Sequence, residues 1–345
     1  MDLPELLRSP RRQFRHSLRR CLVRCFGRIS MVAPLLFIPL VTSTAYAQAW
    51  PTKPVKLVVP FPAGGGADVV ARLLSQKLSE RWGQPVVVDN RAGANTVIGA
   101  DVVAKSPADG YTLLMAMDTT LAQNQFLFSK LPYDAVADFA PISMMVASPV
   151  ALIASDKFAG KSMQDWVNSA KAQPGKLNYG VSGISTQITA ALIEEATGIT
   201  ANHIPYKGSA PTAQGLMAGD VDLAFDGIAP YLGFIKSGKA KVLAVTSVQR
   251  SGALPDVPTV AELGWRDVDL KVWFGMVAPK GTPNEVIRKI QTDIAAVLAL
   301  QEVKDRLGGF AFDTVGSTPE QFAASIQADI KRYGPVIRRL GIKLD

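Results

Sequence analysis

Short apolar runs of strand length alternate along this chain with segments whose apolar positions recur every three or four residues. The first run, 56–60, is β-branched and meets Pro62-Ala63-Gly64-Gly65-Gly66, which cannot continue a strand. Beyond the glycines Val69, Val70, Leu73, Leu74 and Leu78 fall at helical spacing, with Asp68 suited to the cap or first turn. The same reading predicts strands at 84–89, 111–117, 177–181, 203–205, 222–226, 241–246 and 272–278. It predicts helices at 97–104, 163–172, 187–197, 212–218, 229–236, 284–300 and 319–340, the last two closing the chain, and leaves a further apolar run at 142–154. Strand alternating with helix is the signature of an α/β protein with a parallel sheet covered on both faces.

In such sheets ligands sit beyond the carboxyl ends of the strands. The strand, glycine loop and helix N-terminus at 56–78 aim several unpaired backbone N–H groups, and the positive end of a helix dipole, at one spot. The expected guest is an anion, a carboxylate or a phosphate; a bare strand-to-helix connection is the alternative. The loop lacks the Lys-Ser/Thr of a nucleotide P-loop, since Ala67-Asp68 follow its last glycine, and lacks the spacing of a dinucleotide fingerprint. Asp118-Thr119-Thr120 ends another strand and can share the same site. A second small-residue loop, Ser182-Gly183-Ile184-Ser185-Thr186, again leads from a strand into a helix, now with hydroxyls added. Two such termini, one per lobe, could grip a small acid from opposite sides.

The first 30 residues carry eight arginines, 31–41 is apolar, and Ala45-Tyr46-Ala47 is a small-x-small cleavage site. This order predicts an export signal at 1–47, removed near Ala47. Arg11-Arg12-Gln13-Phe14 hints at a twin-arginine route but lies well before the apolar core; the pattern favours ordinary secretion. The leader's eight arginines, Asp2 and Glu5 account for most of the formal charge of +8; the remaining 298 residues hold 29 Lys/Arg against 27 Asp/Glu, a net +2. A basic partner surface for nucleic acid is therefore not implied. Both cysteines, Cys21 and Cys25, lie in the leader, leaving one histidine, His203, and excluding thiol catalysis, disulfides and Cys/His zinc sites from the remainder.

Other candidate groups are few. Gly180-Val181-Ser182-Gly183 resembles a nucleophile elbow until Ile184, where glycine is expected, and a Ser182, His203, Asp226 triad runs in the wrong chain order. Asp118 and Asp226 end predicted strands and could accept hydrogen bonds from a ligand amine or a bridging water, or simply cap their loops. Lys207 could neutralise a carboxylate, or be a solvated turn lysine; Tyr206 and Phe61 could wall the pocket. Clustered carboxylates for a metal are not evident, and no cofactor is called for.

The chain after the leader resembles the tripartite tricarboxylate transporter substrate-binding receptors, the Bug family of extracytoplasmic solute receptors. The resemblance rests on residues in order: Val59-Pro60-Phe61 with Ala63-Gly64-Gly65-Gly66-Ala67-Asp68, Val88-Asp89-Asn90-Arg91-Ala92-Gly93, and Ala108-Asp109-Gly110-Tyr111. It continues through Leu131-Pro132-Tyr133-Asp134, Tyr179-Gly180-Val181-Ser182-Gly183, Ile204-Pro205-Tyr206-Lys207-Gly208, Pro255-Asp256-Val257-Pro258 and Ala278-Pro279-Lys280-Gly281-Thr282-Pro283. It implies a two-lobed periplasmic binding protein-like fold of type II, with a cleft that closes over a small organic acid for delivery to integral-membrane permease subunits. No catalysis and no cofactor follow from it, and the receptor is expected to be monomeric. The expected lobes are 48–148 with 270–345, and 149–269. On matching positions the family's carboxylate site becomes Phe61, Ala63, Gly64, Gly65 and Asp68 in one lobe and Ser182, Gly183 and Thr186 in the other, with Asp118, Thr119, Tyr206, Lys207 and Asp226 around it. Two stretches depart from the family pattern. Ile184-Ser185-Thr186-Gln187-Ile188 stands where a glycine and a histidine-leucine pair are common, and Asp118 where a smaller polar residue is usual. Di- and tricarboxylates, acidic amino acids and aromatic acids are the expected ligand classes, with dicarboxylates leading. A secreted Ser182/His203 hydrolase and a ligand-sensing subunit of a signalling system are the rival functions.

Overall fold

The computed structural model describes residues 50–266 and 268–344; the export signal expected at 1–47 lies outside the described residues. The chain opens with β1 (Val55–Val59), α1 (Gly66–Trp82), β2 (Val86–Asn90), α2 (Val97–Ala104) and β3 (Thr112–Met117). A π-helical turn, Thr119–Gln123, then runs into α3 (Asn124–Leu127), where the sequence reading has only irregular chain. Next come β4 (Phe139–Ser155), α4 (Met163–Ala172), β5 (Asn178–Val181), α5 (Ile184–Thr197), β6 (Asn202–Pro205), α6 (Ser209–Ala218) and β7 (Leu223–Gly227). The remainder is α7 (Leu232–Lys236), β8 (Ala240–Val245), β9 (Lys271–Pro279), α8 (Asn284–Ala299), α9 (Gln301–Gly308), β10 (Asp313–Thr314) and α10 (Pro319–Leu340); α9 and β10 have no counterpart in the sequence reading.

The strands lie in the order β2-β1-β3-β9-β4-β7-β5-β6, with β8 and β10 also on β4. The expectation of a parallel sheet is only half met. β1 is parallel to β2 and β3, and β5 to β6 and β7, but β9 and β4 run antiparallel to their neighbours. A βαβ crossover enforces parallel pairing only between strands it joins; β9 lies between β3 and the first part of β4, and the long β4 runs on to pair with β7. β4 is 17 residues long. It pairs with β9 through Pro149 and with β7 from Val150, so the residue without an N–H stands where the partner changes.

Along the inner strands successive buried residues face opposite covered sides of the sheet. Leu57, Leu113 and Met115 join α1 and α8 in one core, while Val58, Leu114 and Ala116 face the opposite one with Phe322 and Ile326 of α10. Leu152 and Ala154 likewise face α4 and α5, and Ala151 and Ile153 face α6. Helix α10 crosses the expected lobe division. Its first half packs with β3 and β9, whereas Tyr333, Val336 and Ile337 pack with Trp166, Ile188 and Ile193 from the middle of the chain. The helix begins in a capping box of Thr318 and Gln321 with Pro319 at its first position, and carries Pro335 inside. Among the described residues no helix is long and apolar enough to cross a membrane.

Candidate ligand-binding site

The glycine loop is fixed from below by Asp68. In the first turn of α1, its Oδ2 accepts from the Gly64 N–H at 2.9 Å and from Arg72 Nε at 2.8 Å. Its Oδ1 accepts at 3.0 Å from Asn90 Nδ2, which also donates to the Phe61 carbonyl. The Arg72 hydrogen bond, helped by Gly64 and Asn90, holds the Asp68 carboxyl down to about 2 against the opposing effect of burial. Gly64 takes φ +86°, a left-handed turn that suits glycine, while Gly65 is extended at φ −81°. Two expectations change here. Asp68 and the Gly64 N–H are spent on each other rather than held ready for a ligand. The free donors are the next N–H groups, from Gly65 to Asp68, which have no protein partner among the described residues. Ala63, Gly64 and Gly65 are exposed, and Phe61 stacks edge-on to Phe274 at 6.0 Å, with Phe312 beyond it. The sequence reading named Phe61 and missed the two rings that extend this apolar wall.

The second loop is built on the same plan with different chemistry. Thr186 Oγ1 accepts from the Ser182 and Gly183 N–H groups at 3.0 and 3.1 Å and returns its own proton to the Gly183 carbonyl. Helix α5 starts at Ile184, three residues earlier than the hydrophobic spacing predicts, because this hydroxyl cap closes the first turn. Here too the Ser182 and Gly183 N–H groups are consumed, and the free donors are those of Ile184, Ser185 and Thr186.

Asp226 differs most from its expected role. It is fully buried, and its Oδ1 accepts from Ser182 Oγ, Ser209 Oγ and the Gly227 N–H, each at 2.7 Å, while Oδ2 accepts from Tyr231 OH at 3.0 Å. Burial pushes its carboxyl up, and these four donors pull it back. It is a hub that orients Ser182, with both oxygens engaged by the protein and buried away from a ligand amine. Ser182 donates its only proton to Asp226, and His203 is exposed beside Gln187, so the two halves of a hydrolytic pair are not brought together. Lys207 is exposed; Tyr206 lies against Gly180 and Gly215, where an added Cβ would sit 3.2 Å from its ring and 2.3 Å from its hydroxyl. These two glycines make room for the ring, which is packed as much as it is presented.

Asp118, also fully buried, joins the two halves. Its Oδ2 accepts from Ser185 Oγ of α5 at 2.9 Å and from Gln123 Nε2 at 2.8 Å, and Thr119 Oγ1 lies 3.3 Å from the same Ser185 hydroxyl. Since β1 and β3 are parallel neighbours, this contact gathers the carboxyl ends of β1, β3 and β5 at one junction. Behind it Asn124 and Thr120 bond Thr96, a buried residue held at φ +78°. Two surface hollows elsewhere, of about 480 Å³ beside α3 and about 190 Å³ between Leu121 and Gln327, include none of the loop residues.

The comparisons with known proteins bear on this geometry. A family model described as the tripartite tricarboxylate transporter family receptor matches residues 70–342. The chain belongs to that family of receptors. It is 37% identical to Protein BugT of Bordetella pertussis over 86% of this chain and 92% of that one. Among solved structures it is similar to an R. palustris protein holding adipate, with 35% identity, a TM-score of 0.75, and coverage of 85% of this chain and 98% of that one. It is also similar to MatC from Rhodopseudomonas palustris with bound malate, with 29% identity, a TM-score of 0.70, and coverage of 83% and 99%. The architecture is accordingly the two-lobed α/β fold of periplasmic binding proteins, and this family is one of receptors rather than enzymes. Against the family pattern, the two departing stretches at Asp118 and Ser185 turn out to touch each other.

The frame under the glycine loop is open to test. Asp68→Asn keeps the size of the side chain but places an NH2 against a donor, so we expect at least a severalfold loss of acid binding by calorimetry. The stability loss should stay near 1 kcal/mol, because Arg72 is more than half exposed and its pairing is screened. The depressed Asp68 carboxyl contributes fully above the ordinary carboxylate range and is lost only as pH falls toward about 2, so the variant should not alter the pH profile near neutrality.

Proposed function

We propose that the chain, exported by residues 1–47 and cleaved near Ala47, is a periplasmic receptor that captures a small organic acid and presents it to membrane permease subunits. The observation that carries this reading is the repeated construction of the two loops. In each, one side chain (Asp68, Thr186) absorbs the loop's own N–H groups, and the next helix begins with donors that only an outside acceptor can satisfy. Two such ends suit two carboxylates, so a dicarboxylate leads, with acidic amino acids and aromatic acids next; adipate and malate in similar proteins support that order. Residues 48–148 with 270–345 would form one lobe and 149–269 the other, with β4, β9 and α10 passing between them, and the receptor acting as a monomer. Gly65, Ile184 and Ser185 supply donors in this reading, Phe61 the apolar wall, and Asp226 the support for Ser182.

A thermal-shift screen of small acids on the mature protein tests it. An acid at 100 times its dissociation constant adds about 2.7 kcal/mol, which moves the melting point by about 4 °C for a chain of this length. Dicarboxylates should lead the ranking and esters should show no turnover. A screen in which no acid shifts the melting point, while a neutral or cationic solute does, would remove the reading.

A further inference from the structure

Asp118 is a buried carboxylate with no cation. No Lys or Arg pairs with it among the described residues, and the groups facing it are Ser185 of α5, Thr119 and Gln123 of its own segment, and Asp329 and Tyr333 of α10. Around Asp329 stand Asp269, Lys271 and Arg332, and Trp273 Nε1 donates to it. One Asp118 oxygen, Oδ1, is buried without any hydrogen-bond partner. The other is bonded to a hydroxyl in the first turn of α5, the helix whose free N–H groups the proposed function gives to a ligand carboxylate.

A ligand anion at that helix end would therefore share it with a second negative charge already present, buried beside the first turn of α5 where charges interact strongly. Two carboxylates so placed do not both stay ionised. We propose that Asp118 makes capture proton-linked: when an anionic ligand settles at the N-terminus of α5, Asp118 takes up a proton from solvent on its unpartnered Oδ1. Ser185 is the positioning residue of this pair. Its hydroxyl ties the titrating group to the donor helix, and Asp118 itself does not touch the ligand. The free protein is prepared for this step, since burial pushes the Asp118 carboxyl up to about 7 while Ser185 and the Thr119 amide pull the other way. The neutral form is thus within reach near neutral pH before any ligand arrives.

The sign follows from linkage. Ligand raises the Asp118 pKa above its free-protein value, so the favourable coupling is complete below about pH 7 and is lost as pH rises through the bound-state value. Affinity should weaken by up to roughly tenfold per pH unit above neutrality. This inference rests on the proposed acid-binding function, and the test separates the two. The carboxyl carbon of Asp118, followed by NMR in the free protein, should titrate near 7. An ordinary carboxylate midpoint would overturn the proposal whatever acid is bound. Calorimetry with adipate, and with malate, in buffers of different ionisation enthalpy should report net uptake of a fraction of a proton at neutral pH. Asp118→Asn should abolish both the uptake and the pH dependence. Should that variant not fold, Ser185→Ala, which removes a bond to the ionised form, should move the midpoint of the affinity profile to higher pH. Binding of either acid without proton uptake, or with uptake surviving in Asp118→Asn, would refute the coupling while leaving the receptor reading intact; failure of every acid would remove the receptor reading instead.

Discussion

Asp226→Ala should lower the stability of the mature protein by about 3 kcal/mol, a fall of about 5 °C in melting temperature for a chain of this size. The side chain is fully buried and accepts from four donors, so removing it strands a buried phenol, two half-buried hydroxyls and a half-buried backbone N–H. Part of that loss is offset, because burial already disfavours the charged carboxylate. Asp226→Asn keeps two polar atoms and should cost less than half as much. Acid binding should fall in the alanine variant even well below its melting point, since Ser182 then loses the acceptor that fixes its rotamer. Denaturant unfolding measures the first effect and calorimetry the second. A fully stable Asp226→Ala protein would mean that the four donors find other partners, and the hub would be dispensable.

Gly65→Val should weaken acid binding at least tenfold, which requires only about 1.4 kcal/mol, with little change in folding. Gly65 is extended rather than left-handed, and an added Cβ would meet nothing closer than the Pro62 carbonyl at 3.8 Å. The protein tolerates the new side chain, and the ligand does not, because the branched carbons stand beside the free N–H groups of Gly65 and Gly66. The neighbouring Gly64 is the wrong place for this test: at φ +86° any substitution strains the turn and breaks its bond to Asp68. Lys207→Ala serves as comparison and should cost less, since Lys207 is an exposed side chain on a turn. Unchanged affinity in a folded Gly65→Val protein would show that the glycine loop is a connection and the acid sits elsewhere.

Sequence by itself determined the elements whose signals are local. The strand, glycine loop and helix at 55–82, the bounds of α2 and α10, and the site of both loops follow from apolar period, glycine, proline and capping residues, each of which acts within one turn. The family pattern added the two-lobed architecture, since many short motifs in order are specific where one glycine loop is not. What only the tertiary structure decided lies at contacts between residues far apart in the chain. Asp68 and Thr186 could be read as ligand groups because sequence gives no account of which loop N–H each oxygen satisfies; the fold assigns both to their own loops. Asp226 ends a strand and points toward the cleft on paper, yet Ser209 at the start of α6 and Tyr231 close on it as donors. Antiparallel β4 and β9 were hidden because a long apolar run carries no mark of its partner's direction, and the pairing of Asp118 with Ser185, 67 residues away, exists only once β3 and α5 meet. Short-range chemistry writes the helices, strands and turns; burial and hydrogen-bond satisfaction, which depend on everything folded around a group, decide which polar atoms remain free to bind.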